Sequence, residues 1–156
     1  MNILLKYFPE LTEQQQKSFS KLYELYKDWN EKINVISRKD IDNLMERHVL
    51  HSLAIAKFVT FRNGSKIMDL GTGGGFPGVP LAILFPECRF HLVDSIGKKL
   101  KIIDAVKEEL DLKNIFTFHK RAEEMDYQYD FVVSRAVAPL PDLLKWTDRK
   151  YLYKQL

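Results

Sequence analysis

Between residues 12 and 30 apolar side chains return every three or four positions. Phe19, Leu22, Tyr26 and Trp29 fall on one stripe, and polar or charged residues fill the spaces between them. That period predicts an amphipathic helix, and Thr12 with Gln15 has the spacing of a capping box at its start. A second helical stretch is expected over residues 47–58, turning Leu50, Leu53, Ala54 and Phe58 toward a core. At Asn63-Gly64 the period changes. "SKIMDL" is a short apolar run ending in glycines, and a helix containing "VPLAILF" follows it. "RFHLVD" reads as a strand, and "IGKKLKIIDAVKEEL" as a helix with Leu100, Ile103, Val106 and Leu110 on one face. "NIFTFH" and "YDFVVS" are two further strands.

Alternation of strand and helix predicts an α/β chain: a parallel sheet, joined by right-handed crossovers and covered on both faces. Residues 1–63 read as an N-terminal helical cap and residues 64–156 as a partial Rossmann-like domain, packed together as one unit. A length of 156 residues with 46% hydrophobic composition suits a single core. No internal repeat or low-complexity tract interrupts it.

The glycines concentrate at one place. Gly71, Gly73, Gly74, Gly75 and Gly78 lie between the first strand and the next helix, where a glycine turn lets backbone approach a small ligand at the strand ends. Gly73, Gly75 and Gly78 satisfy the G-x-G-x-x-G spacing, and Asp94 ends the next strand where a ribose-binding acid belongs. Spacing alone therefore leaves a nicotinamide dinucleotide open. Flanking chemistry favours S-adenosylmethionine: Asp69, beside the turn, repels a pyrophosphate and attracts an ammonium or sulfonium. Pro77 also removes a free amide that would help hold phosphate.

"DLGTGGGFPGVPLAI" at 69–83, "VDS" at 93–95, "RAE" at 121–123 and "SRAVAPL" at 134–140 resemble the bacterial 16S ribosomal RNA guanine-N7 methyltransferases of the glucose-inhibited division protein B type. "WNEKIN" at 29–34 and "RHVLHSL" at 47–53 extend the resemblance to about residue 146. It departs from the family's usual pattern at His51 and at Asn34-Val35-Ile36, both in the helical cap. The resemblance implies an S-adenosylmethionine-dependent enzyme that methylates a guanine of small-subunit ribosomal RNA. Its cofactor cradle would comprise Asp69, Gly71, Thr72, Gly73, Gly75, Phe76 and Gly78. Asp94 and Ser95 would serve the ribose side, with Ala122 and Glu123 beside the adenine. Arg135, also placed in the site, matches an arginine near the substrate entrance that could hold an RNA phosphate or stack on a base. On the same resemblance the chain stops before the family's C-terminal strands. "YDFVVS" would then present an open edge, with low activity and either self-association or local disorder around residues 134–156 as consequences; "YLYKQL" could cover something but is too short to replace the strands.

Several of these residues have simpler structural alternatives. Asp94 could cap the "SIGKKLK" helix, Asp69 could satisfy turn amides, and Glu123 could sit in the first turn of a short helix. Arg135 could pair with Asp69 or Glu123. Lys98, Lys99 and Lys101 form either a solvated face or a phosphate contact. His48, His51 and His119 are too scattered for a metal site and are read as packing or capping residues. N7 of guanine carries a free lone pair, so no catalytic acid or base is expected. A non-catalytic RNA-binding protein and a nicotinamide-dependent oxidoreductase fragment are the other functional readings.

Twenty-four basic against 21 acidic residues give a net charge of +3, which permits an anionic partner without requiring one. Cys88 is the single cysteine, so no disulfide framework or thiolate metal set is encoded, and a reducing cytoplasm fits. No apolar run approaches the roughly 20 residues of a membrane span.

Overall fold

A computed structural model describes residues 1–148 and 150 of the chain, with Arg38 described only in its backbone. Helix α1 (Asn2–Tyr7) leads into α2 (Glu13–Lys32), whose start carries the expected reciprocal cap. The Gln15 amide donates to Thr12 Oγ1 at 3.2 Å and the Thr12 amide to Gln15 Oε1 at 3.0 Å. Phe19, Leu22 and Tyr26 are buried along one face of α2, with Trp29 partly buried beyond them. The Gln15 amide group also donates to the carbonyls of Ile83 and Leu84, each at 3.1 Å, so the cap's first turn is tied to the later half of the chain.

A short helix α3 (Arg38–Ile41) precedes a continuous helical stretch that changes pitch. Met45–Leu50 is a π-helix, α4 (His51–Leu53) one α-turn, and Ala54–Lys57 a 3-10 turn. This corrects part of the expected core face. Leu44, Val49 and Leu53 are buried, but Ala54 is exposed, Leu50 is only half-buried and Phe58 is 89% exposed. The wide π-turn makes residues five apart share a face, so Val49 follows Leu44 inward. A uniform period of 3.6 placed Leu50 there instead.

The remainder alternates as expected: β1 (Lys66–Leu70), α5 (Gly78–Leu84), β2 (Arg89–Asp94), α6 (Gly97–Glu109), β3 (Ile115–His119), a 3-10 turn at Ala122–Glu124, β4 (Phe131–Ser134) and α7 (Leu140–Trp146). The four strands pair in parallel in the order β3-β2-β1-β4, with Asp69 opposite Leu92 and Val133 in register. β3 and β4 are therefore the edges of the described sheet.

Successive residues of β1 face opposite layers, as strand geometry requires. Ile67 joins the large core with Phe19, Leu22, Leu53, Val79, Phe90 and Ile103, so residues on both sides of position 63 contribute to one apolar cluster. Met68 and Leu70 face a second layer with Val93, Met125 and Tyr129, against which Leu143 and Trp146 of α7 pack. In that layer His91 Nδ1 lies 3.0 Å from the Tyr129 hydroxyl. The expectation for "YLYKQL" lies outside the described residues.

Candidate active site

Parallel strands bring their carboxyl ends to one edge, and the loops that leave β1, β2, β3 and β4 meet there. They enclose a cavity of about 570 Å³, together with Val35, Ile36 and His48 from the N-terminal helices. A volume of this order suits a small organic ligand.

Two aspartates organise the turn after β1. Asp94, at the end of β2, is almost fully buried; its Oδ2 accepts from the Gly73 amide and its Oδ1 from the Ile96 amide, both at 2.8 Å. One carboxylate thus fixes the glycine turn and the entrance to α6 while remaining part of the cavity wall. Asp94 does not cap α6, whose N-cap is Ile96; it holds the Ile96 amide just ahead of the helix, and its carboxylate keeps further lone pairs at the cavity wall.

Asp69 is placed differently from the expected contact residue. It has no exposed surface and lies behind the cavity lining. Its Oδ2 accepts from the Thr72 hydroxyl and the Gly78 amide, each at 2.7 Å. Burial pushes its acid up to about 7, opposed by those two bonds and by the charge of Arg135. Its Oδ1 has no hydrogen-bond partner within the described protein. Asp69 therefore satisfies turn groups, the simpler of its two expected roles, and is not among the residues that line the cavity.

Gly75 and Gly78 likewise lie behind the cavity lining. A side chain on Gly78 would meet Asp69 Oδ2 at 2.7 Å and Leu92 Cγ at 2.8 Å; one on Gly75 would meet Val79 and the Tyr26 hydroxyl. These two glycines permit close packing, whereas Gly71, Thr72, Gly73, Gly74 and Phe76 face the cavity. The amides of Gly71 and Thr72 donate to the Val93 carbonyl at 2.9 and 3.0 Å, anchoring the turn on the end of β2.

Ser95, Ala122, Glu123 and Arg135 also line the cavity, joined by Lys99, Lys120 and Arg121. Arg135 makes neither of its expected ion pairs, with Asp69 or with Glu123. Its guanidinium instead lies 5.4 Å from the Phe76 ring centroid, and Nη2 is 3.0 Å from Nδ1 of His48. His48 is thus a cavity residue that no expectation included. Burial, then the nearby Arg135 charge, hold its imidazole below the usual pKa. It is therefore the neutral ring that accepts at Nδ1. His119 does act as a packing and capping group, with Nε2 at 3.0 Å from the Ser95 carbonyl. Among the described residues no group of histidines, cysteines and carboxylates could hold a metal.

Two buried residues of α2 support the wall from behind. Tyr26 reads from spacing as a core residue, yet its hydroxyl donates to the Gly74 carbonyl at 2.5 Å. Asn30 shapes the segment after α2: Oδ1 accepts from the amides of Val35 and Ile36 at 3.0 and 2.9 Å, and Nδ2 donates to the Ile36 carbonyl at 2.9 Å. Asn30, a polar residue four positions after Tyr26 on the buried stripe of α2, was the available signal.

A family model described as GidB, rRNA small subunit methyltransferase G, matches residues 15–155. The chain belongs to this family. The ribosomal RNA small subunit methyltransferase G of Bacteroides thetaiotaomicron is 64% identical over 155 residues, covering 99% of this chain and 75% of the relative. Its counterpart in Christiangramia forsetii is 60% identical over 150 residues, covering 96% and 71%. Among solved structures, coclaurine N-methyltransferase bound to N-methylheliamine and SAH superposes with a TM-score of 0.59 at 17% identity, over 67% of this chain and 33% of that one. At that identity the likeness concerns the fold, which is the Rossmann-like methyltransferase fold.

Proposed function

We propose that this chain transfers the methyl group of S-adenosylmethionine to N7 of a guanine in 16S ribosomal RNA, presented by the small ribosomal subunit. The observation that carries the reading is family membership through residues 15–155 coupled to a glycine-turn cavity whose Asp94 carboxylate is pinned by two amides.

The residues present suit the cofactor. Asp94 supplies a buried, oriented acceptor for ribose hydroxyls, Gly73 and Gly74 leave room along the turn, and Ala122 with Glu123 offers backbone for the adenine edge. Asp69 is fully buried behind the turn, and burial pushes its acid up to about 7, so at neutral pH its charge reaches a cationic amino acid end only in part. When bound, S-adenosylmethionine supplies a methyl group activated by sulfonium.

Guanine N7 already carries a lone pair, so the protein need not remove a proton before attack. Its task is alignment and exclusion of water. Arg135, lying over the buried Phe76 ring beside His48, gives a planar cationic surface on which the acceptor base is held. Lys99, Lys120 and Arg121 at the same cavity meet the RNA backbone through phosphate contacts.

The helical cap, residues 1–63, works with residues 64–156 as one unit; the shared apolar cluster supports that reading. The edge of β4, outermost among the described strands, is the surface through which copies of this chain would associate. Among the described residues no helix is long and apolar enough to cross a membrane. A cytoplasmic site of action follows from the ribosomal substrate in this reading.

The test is transfer of a radiolabelled methyl group to small subunits from cells lacking the gene, followed by mass mapping of the RNA. One new N7-methylguanine in 16S RNA supports the proposal. Cofactor binding without transfer would favour a non-catalytic RNA-binding role, and preferential binding of NAD(H) would favour the oxidoreductase reading.

A further inference from the structure

Tyr26 stands on α2, 48 residues before the turn it touches. It is fully buried, and burial raises its phenol above the usual value, so the hydroxyl is a permanent donor at neutral pH. That hydroxyl is bonded to the carbonyl of Gly74, in the middle of the turn. The Tyr26 ring centroid lies 4.9 Å from that of Phe76, which in turn lies 5.3 Å from His48 and 5.4 Å from the Arg135 guanidinium. Glycine is required beside it, because a Cβ on Gly75 would come within 2.8 Å of the Tyr26 hydroxyl oxygen.

The turn is consequently held from opposite directions. On the sheet side Asp94 accepts from the Gly73 amide; on the helical side the Tyr26 hydroxyl donates a hydrogen bond to the Gly74 carbonyl. A glycine-rich segment has more backbone freedom to lose than any other, so a ligand that needs one conformation of it binds more weakly unless that conformation is already imposed. Packing alone does not require a hydroxyl here. Phenylalanine would fill the same space among Phe19, Leu22 and Ile103.

We propose that Tyr26 is a positioning residue for the cofactor turn, fixing Gly74 and the ring of Phe76 so that the N-terminal helical cap contributes directly to cofactor affinity. This rests on the S-adenosylmethionine reading above, and binding by the unmutated protein tests that reading separately.

The experiment is calorimetric titration of the full chain with S-adenosylhomocysteine, comparing the parent, Tyr26→Phe and Leu22→Ala. Leu22→Ala truncates the same buried face one turn earlier and reports what loss of stability alone does. Tyr26→Phe is expected to raise Kd about five- to tenfold, the size of one lost hydrogen bond. Leu22→Ala is expected to lower Tm with Kd little changed at a temperature where the protein is folded. Parent-like affinity in a folded Tyr26→Phe variant overturns the proposal, and so does an equal loss in Leu22→Ala. Failure of the parent to bind overturns the cofactor reading.

Amide exchange in the unmutated, ligand-free protein supplies an arm independent of variant folding. The Gly75 and Phe76 amides, which donate to the Thr72 carbonyl, should be protected to about the same degree as the middle of α2. Fast exchange at these amides while α2 stays protected overturns the proposal as well.

Discussion

Arg135 and His48 share a hydrogen bond of 3.0 Å between Nη2 and Nδ1, although 87 residues separate them in sequence. The guanidinium can only donate, so the imidazole nitrogen facing it must be bare. Protonating His48 would set two donors and two positive charges against each other. The lowered pKa of His48 follows from its burial and this charge, so the bond survives below the pH at which a free imidazole titrates.

Replacing Arg135 by alanine is therefore expected to move the His48 pKa upward, toward its ordinary value, as read from the imidazole proton resonances. Arg135→Lys keeps a charge but loses the planar fork over Phe76, and should reduce methyl transfer at least tenfold while changing cofactor affinity less than threefold. A large loss of cofactor affinity with unchanged transfer at saturation would place Arg135 on the cofactor side instead.

Asp94 supports two amides as well as any ribose. Asp94→Ala leaves the Gly73 and Ile96 amides without their acceptor and removes the charge-assisted bonds to ligand. Affinity for S-adenosylhomocysteine should fall by about 2 kcal/mol, roughly thirtyfold. Asp94→Asn retains one acceptor oxygen and should lose less. Titration calorimetry of both variants checks the order, and equal affinity in all three proteins would remove Asp94 from the site.

Much of this site was legible because its signals are local. Glycines between an apolar run and a helix, and an aspartate closing the next strand, need only adjacency to be read. The Thr12–Gln15 cap is equally local, and both of its bonds form. What escaped depends on distance or on a change of period. Tyr26 fitted the α2 stripe so well as a core residue that its hydroxyl had no visible partner in sequence. The π-turn at Met45–Leu50 moved the buried position from Leu50 to Val49, with His48 beside it at the cavity, and the tighter 3-10 turn at Ala54–Lys57 comes before the exposed Phe58. Asp69 was readable in part: alternation along β1 puts it on the same face as the fully buried Ile67. The cofactor reading drew attention to its charge rather than to that face.

Two glycines of the turn should respond to alanine for different reasons. At Gly78 the new Cβ would sit 2.7 Å from Asp69 Oδ2 and 2.8 Å from Leu92 Cγ, and both belong to packed strands. Gly78→Ala is expected to cost about 1–3 kcal/mol through overpacking. At Gly73 a Cβ would meet nothing within 4 Å, but φ is +58°, so Gly73→Ala is expected to cost only the left-handed backbone penalty, about 1–2 kcal/mol. Denaturant unfolding measures both. In Gly78→Ala the Asp69 contacts should also shift, visible as a changed Asp69 titration, whereas Gly73→Ala should leave it unaltered.

Asp69 makes stability depend on pH with a definite sign. Its folded-state pKa is raised to about 7 from 3.8, chiefly by burial. In the unfolded chain the carboxyl loses its proton near pH 4, while in the folded chain it keeps it until about pH 7. Across that window the native state binds more protons, so this residue makes the protein less stable as pH rises, by up to ~1.4 kcal/mol per pH unit. Above the folded pKa the effect levels off. Asp69→Asn abolishes the titration while its amide oxygen still accepts from Thr72 or Gly78. It also places an NH₂ where Oδ1 now lacks a partner, a cost that does not vary with pH. The difference in unfolding free energy, parent minus Asp69→Asn, should therefore fall between pH 4 and pH 7 and then become flat. A difference that stays constant across this range would mean that the folded protein holds Asp69 ionised throughout, with the Thr72 and Gly78 bonds and the nearby charge of Arg135 outweighing its burial.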